Sequence, residues 1–180
     1  MGITADHIRT TLDHYLDQHP EEKPQLEPVL ALLDERADLT SRKEFRGHAT
    51  AGAVLTDPAG RVLFIHHLAL DAWLLPGGHL EPGDTNLIGA ALRELAEETG
   101  IRPDLVVPLQ DTPVHIDVHP IPANPAKNEG DHQHIDFRFA FTTNADVTEL
   151  QAEEVTDAAW RGIGTISDER LRDRVAAAIR

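Results

Sequence analysis

Two spacings of apolar residues divide the 180-residue chain. In the first 40 residues Ile8, Leu12 and Leu16 recur at every fourth position, and Leu26, Val29, Leu30, Leu32 and Leu33 form a second stripe beyond Pro24. Such spacing buries one face of a helix. His19-Pro20 interrupts it, because the residue before a proline is disfavoured in the helical region. Residues 1–45 are therefore read as an N-terminal helical hairpin, and residues 46–180 as the main domain. From Gly47 the apolar residues fall into short runs. Ala49 to Leu55 and Arg61 to His67 read as strands joined by the turn Asp57-Pro58-Ala59-Gly60. Trp73 to Leu75 leads into a glycine loop, and further strand candidates are Val106 to Leu109, Thr112 to His119, Ile135 to Thr143 and Ala158 to Arg161. Pro120 to Gly130 reads as a long loop, and Ser167 as the cap of a closing helix carrying Leu171, Val175, Ala178 and Ile179. Strands on both sides of a helix predict the α/β class, an α/β/α sandwich around a mixed sheet.

The helix inside this domain carries the chemistry. Pro76-Gly77-Gly78 and Glu81-Pro82-Gly83 turn the chain before it, and Gly100 suits a left-handed helix stop. Glu94, Glu97 and Glu98 then share one face, at i, i+3 and i+4. A Glu-rich helix is by itself usually a solvated face. Three clustered carboxylates next to a glycine turn are different: they repel one another unless a cation fills the cluster, and hard oxygen ligands suit Mg²⁺ or Mn²⁺. The stretch reads as a metal-dependent phosphate site.

The same residues resemble the signature of the Nudix hydrolases, G-x5-E-x7-R-E-U-x-E-E-x-G-U with U aliphatic. Arg93-Glu94-Leu95-Ala96-Glu97-Glu98-Thr99-Gly100-Ile101 matches its second half in full. In the first half, counting from Gly78 puts Asp84 at the first acidic position, one residue farther from Arg93 than the pattern allows. Counting back from Arg93 lands on Thr85. We read one extra loop residue, with Asp84 in place of the usual Glu and its membership of the metal shell open. The resemblance implies a Nudix-type sandwich and a hydrolase that directs water at phosphorus in a pyrophosphate bond of a nucleoside diphosphate linked to another moiety. It implies Glu94, Glu97 and Glu98 as metal ligands, with the Gly77 carbonyl added, and Arg93 orienting Glu97. Glu94 or Glu97 is the expected general base, with an acid outside the helix, such as Asp136, as the alternative. A non-catalytic sensor or scaffold on the same fold is the competing class. Such a sensor would be expected to lose motif carboxylates or gain a DNA-binding segment.

One feature lies outside the motif. Period-2 alternation puts His132, His134, Asp136 and Arg138 on one strand face, and His115, Asp117 and His119 on one face of another. Three readings stand: a wall that orients substrate, a solvated or structural face, and a separate transition-metal site that needs a third ligand from the other strand. His79, and Lys127 on the long loop, join the substrate-binding candidates.

Composition narrows the partners. The net charge of −15, from 31 acidic and 16 basic residues, disfavours nucleic acid and anionic membranes. No cysteine is present, so thiolate metal sites and disulfides are excluded. Lacking a membrane-length apolar run or a signal-peptide pattern, the chain is expected to be cytoplasmic, acting on a small phosphate-containing molecule. The nine acidic and three basic residues of positions 1–40 argue against a DNA-binding role, leaving packing on the core or a homodimer interface.

Overall fold

The computed structural model describes residues 2–125 and 128–180. Lys127 falls outside them. Eight strands form one mixed sheet: β1 (His48–Thr56), β2 (Arg61–His67), β3 (Ala72–Leu74), β4 (Gly77–His79), β5 (Val106–Pro108), β6 (His115–Ile121), β7 (His132–Thr143) and β8 (Val155–Gly162). Its axis is β1, which runs parallel to β7 from His48 opposite His134 to Thr56 opposite Thr142. Parallel neighbours need a long crossover. This one carries the helix α3 (Leu87–Thr99).

Every residue of β1 is buried, so it lacks the polar alternation of a half-exposed strand. Ala49, Ala51, Ala53 and Leu55 point into a core with Ile135, Phe137, Phe139 and Phe141 of β7 and Leu87, Ala90, Ala91 and Leu95 of α3. Small side chains on β1 let the helix approach closely. The predicted hairpin forms as α1 (Ala5–Gln18) and α2 (Lys23–Asp34), and Ile8, Leu12, Tyr15, Leu26, Val29 and Leu33 belong to that same core. Buried polar contacts add to the docking. Tyr15 donates to Glu22 Oε2 at 2.6 Å, and Arg174 from α4 (Glu169–Ala178) bonds both residues. Glu22 is 1% exposed, which a charge withstands only when paired.

On the other face Val54, Val62, Phe64 and Ala140 pack with Ile166, Leu171 and Val175. The cap of α4 is Asp168, not Ser167: its Oδ1 accepts the Leu171 N–H at 2.9 Å, which sets Leu171 and Val175 toward this core. Strand β6 starts at His115 rather than Thr112, since the Gln110 side chain turns the chain by bonding the Thr112 and Pro113 carbonyls. It then runs through Pro120 to Ile121, into the segment expected to be loop. As an edge strand bonded to β7, it tolerates the missing N–H of Pro120.

Candidate active site

Helix α3 is fixed at both ends. Asn86 accepts the Gly89 N–H at 2.7 Å, and Gly100 closes the helix at φ 70°. A side chain at Gly100 would strike Thr148 and Glu149, so the following loop lies tight against the helix end. At the start, Leu87 N–H donates to His7 Nε2 at 3.1 Å and Ile3 N–H to the Asp84 carbonyl at 3.0 Å. The N-terminal segment thus braces the loop that leads into the motif helix.

Glu94 and Glu98 point at the glycine strand β4. A Cβ on Gly78 would lie 2.6 Å from Glu94 Oε1, and the Gly77 N–H donates to Glu98 Oε2 at 3.0 Å. Glycine is required here by that close approach. Burial pushes the Glu98 carboxyl up to about 8, and the charges of Glu94, Glu154 and Glu97 push the same way. Burial also raises Glu94 to about 7, against the pull of Arg93. Glu97 is exposed. Glu154 comes from a loop far along the chain and has no place in the motif, so sequence spacing gave no reason to select it.

Arg93 organises the cluster. Its Nε and Nη2 bind both oxygens of Asp84, at 2.9 and 3.0 Å. Its Nη1 donates to Glu94 Oε1 and to Glu97 Oε2, each at 3.0 Å, and Nη2 also reaches the His79 carbonyl at 2.8 Å. Asp84 takes a further bond from the Glu81 N–H at 2.7 Å. Burial alone would raise the Asp84 carboxyl; the bonds from Arg93 and Glu81 outweigh it and hold the group below the usual carboxylate range. With both oxygens committed, Asp84 positions Arg93 and stands apart from the glutamate trio. We expect Asp84→Asn to lower turnover by about tenfold or less, about 1.4 kcal/mol of barrier, and to cost about 1–3 kcal/mol of stability through the weakened buried pair. Rates at saturating metal and urea unfolding measure both. A rate loss as deep as that of Glu98→Gln would instead place Asp84 among the ligands.

The histidine face forms where β6 pairs antiparallel with β7, setting His115 opposite Arg138, Asp117 opposite Asp136 and His119 opposite His134. Asp136 accepts from Arg138 Nε at 2.8 Å and from the Thr50 hydroxyl at 3.2 Å. His119 Nδ1 meets Asp117 at 2.8 Å, and this bond raises the imidazole above its usual range. His115 instead turns toward Asp168, at 3.4 Å. His132 Nε2 lies 3.2 Å from His134 Nε2. Two rings join from other strands: His79 from β4, and His48, opposite His134 on β1. His48 was not among the sequence candidates, because a lone histidine before a run of small residues carries no periodic mark. Burial lowers His79 to about 3 and His134 to about 4, with neighbouring charges adding to it, so both rings are neutral near pH 7.

This face and the glutamates lie on opposite sides of the sheet. Gly78, which faces Glu94, pairs with Ala51, whereas His79 pairs with Thr50, and adjacent strand positions point opposite ways. Strand β4 is the partition between them. Two clefts among the described residues lie along β6, one of about 670 Å³ bordered by Phe45, Ile121 and His132, the other of about 450 Å³ bordered by Leu26, His115, Asp117 and Asp168.

Comparison with known proteins identifies the family. A family model described as the NUDIX domain matches residues 46–178. A probable DHNTP pyrophosphohydrolase of Lactococcus lactis subsp. cremoris is 33% identical over 135 residues, 72% of this chain and 75% of that protein. Among solved structures, a NUDIX-family hydrolase from Clostridium perfringens superposes with a TM-score of 0.53 at 19% identity, over 73% of this chain and 95% of the other. The NUDIX domain of Shewanella oneidensis NrtR, solved with ADP ribose, gives 0.52 at 19% identity, over 73% and 88%. At such identities the structures establish a shared fold.

Proposed function

The chain belongs to the Nudix family as a hydrolase of pyrophosphate bonds, and from that premise we propose a Mg²⁺- or Mn²⁺-dependent enzyme acting on a nucleoside diphosphate linked to another moiety. The observation that carries the metal dependence is the crowding of buried Glu98 and half-buried Glu94 against the glycine strand, where Gly78 leaves no room for a side chain beside Glu94 and the two carboxyls are pushed to about 8 and 7. Carboxylates crowded this way gain most from a hard divalent cation. Glu94, Glu97 and Glu98, with the Gly77 carbonyl, are the groups to hold it. When bound, the cation neutralises charge on the phosphate oxygens and acidifies water.

The remaining work falls to the chain's own groups. The Gly77 N–H aims Glu98 through Oε2, and Arg93 Nη1 holds Glu94 and Glu97 together until the site is filled. One of these two glutamates, or Glu154 from the facing loop, takes the proton of the attacking water. Asp117, His119, His132, Asp136 and Arg138 lie on the sheet face away from the glutamates, so they are proposed to meet only the part of a substrate, beyond the scissile bond, that reaches around the outer edge of β4, a strand paired with β1 alone. A triphosphate ester of a pterin is a second substrate reading, favoured by the name of the Lactococcus relative.

Assay of nucleotide sugars, ADP-ribose, dinucleoside polyphosphates, NADH, coenzyme A, nucleoside triphosphates and a pterin triphosphate, each with Mg²⁺ and Mn²⁺, tests the proposal. Turnover confined to triphosphates would replace the linked-diphosphate reading. Silence across the panel from folded protein would favour the sensor class.

The raised carboxyls also set a pH dependence. Both folded-state values exceed the ordinary 4.5, so in metal-free protein their contribution to stability is complete below pH 4.5 and is lost as pH rises through 7 and 8. A cation binds the ionised form. Affinity for Mg²⁺ should therefore rise with pH and level off above about 8, with protons released on binding at pH 6.5 and almost none at pH 9. Calorimetry in buffers of different ionisation enthalpy counts those protons. Zero release at pH 6.5 would contradict the ligand assignment.

A further inference from the structure

We propose that His48, His79 and His134 form a second metal site, a trihistidine centre for a borderline transition-metal dication of the Zn²⁺ class, on the sheet face opposite the glutamates. Among the described residues, these three offer ligand atoms that all lie within 4.8 Å of one another. They come from three adjacent strands. His48 sits opposite His134 in the β1–β7 register, and His79 follows on β4, with ring centroids 4.9 to 5.3 Å apart. Nitrogens around a tetrahedral Zn²⁺ at 2.0–2.1 Å lie ~3.4 Å from each other. Each ring therefore needs to move inward by less than ~1 Å, within the reach of a χ rotation.

The second observation is an orphaned nitrogen. His48 is 2% exposed, and its Nε2 has no hydrogen-bond partner. Its Nδ1 lies 3.2 Å from the Glu44 carbonyl, which can only accept. The proton is thereby assigned to Nδ1, leaving a bare, buried lone pair on Nε2. Buried polar atoms are rarely left unsatisfied, and a ring whose other nitrogen donates to a backbone carbonyl is the usual arrangement of a metal-ligating histidine. His132 repeats the pattern: Nδ1 lies 2.8 Å from the Gly130 carbonyl, its ring stacks on His48 at 5.0 Å, and its Nε2 faces His134. It is the neighbour placed to complete or shield the site.

Ligand chemistry selects the metal class. Three imidazoles with no thiolate suit Zn²⁺, Ni²⁺, Co²⁺ or Cu²⁺ and do not suit Mg²⁺. Nearby Arg42 is paired with Glu129 at 3.0 Å, which offsets its charge. The ion would clip β1, β4 and β7 together beneath the active site. Through His79, whose carbonyl accepts from Arg93, it would hold the main chain on which the glutamate cluster rests.

The test uses the full chain purified without a histidine tag, stripped by chelator, incubated with Zn²⁺, gel-filtered and counted by elemental analysis. About one Zn²⁺ per chain should remain, and should persist in Glu98→Gln and His115→Ala. His134→Ala and His79→Ala should each weaken retention at least ~10-fold. Co²⁺ should give the intense visible bands of a tetrahedral nitrogen site in the parent and in Glu98→Gln, but not in His134→Ala. His134→Ala and His79→Ala leave His48 in place, and circular dichroism of each confirms that loss of metal is not loss of fold. Negligible Zn²⁺ in the parent, equal retention in folded His134→Ala, or Zn²⁺ lost in Glu98→Gln yet kept in His134→Ala would each overturn the site.

Discussion

Glu98→Gln should reduce turnover by at least about two orders of magnitude, roughly 3 kcal/mol of transition-state stabilisation, without weakening the metal-free fold. The amide keeps the shape of the side chain and an oxygen to accept the Gly77 N–H, which now lies 3.0 Å from Oε2. It removes the anion that the cation binds. Glu97→Gln should cost a similar factor from an exposed position. Stability separates this account from a structural one. The Glu98 carboxyl is pushed by burial to about 8, above its ordinary value, so its contribution in metal-free protein disappears as pH rises through 8. An amide cannot ionise. The variant should match the parent at pH 5 and exceed its melting temperature at pH 9 when both lack metal. Near-parental turnover at saturating metal would remove Glu98 from the ligand set, and a fall in melting temperature at pH 9 would make its role structural.

Arg93→Gln should be the most damaging change to the fold of the site, at about 3–5 kcal/mol. Arg93 is the counter-charge to Asp84, whose side chain is only 5% exposed, and it bridges Glu94 and Glu97. Its removal leaves a buried anion unpaired and two like charges with no shared donor. Activity should fall with it, because the geometry of both glutamates depends on that donor. Arg93→Lys should restore little, since one ammonium cannot reproduce the two-point contact with Asp84 together with three further bonds. Coupling gives the sharper measurement. Asp84→Asn made on top of Arg93→Gln should cost less than in the parent, by about 1 kcal/mol or more. Additive losses, or an Arg93→Gln protein unfolding at the parental urea concentration, would show that the bidentate pair is not what holds the loop.

Local periodicity carried much of this protein. The i+4 stripes of residues 1–40 specified two amphipathic helices, because a helix can hide apolar groups only along one face. Spacing of i, i+3 and i+4 put Glu94, Glu97 and Glu98 together, and Gly100 ended their helix, since both depend on backbone geometry within a few residues. The family likewise was legible in an unbroken run from Arg93 to Ile101. What stayed hidden needs partners distant in sequence. The extra loop residue made the position of Asp84 ambiguous, and only the folded loop shows both its oxygens on Arg93. Glu154 and His7 reach the motif helix from remote segments. Alternation placed the histidines on one strand face, but which side of the sheet faces α3 is set by the pairing of β4 with β1. His48 joins the cluster because β1 and β7 run parallel in one register, and that register is chosen by burial of Ala51 and Phe137 in the core rather than by anything near either histidine.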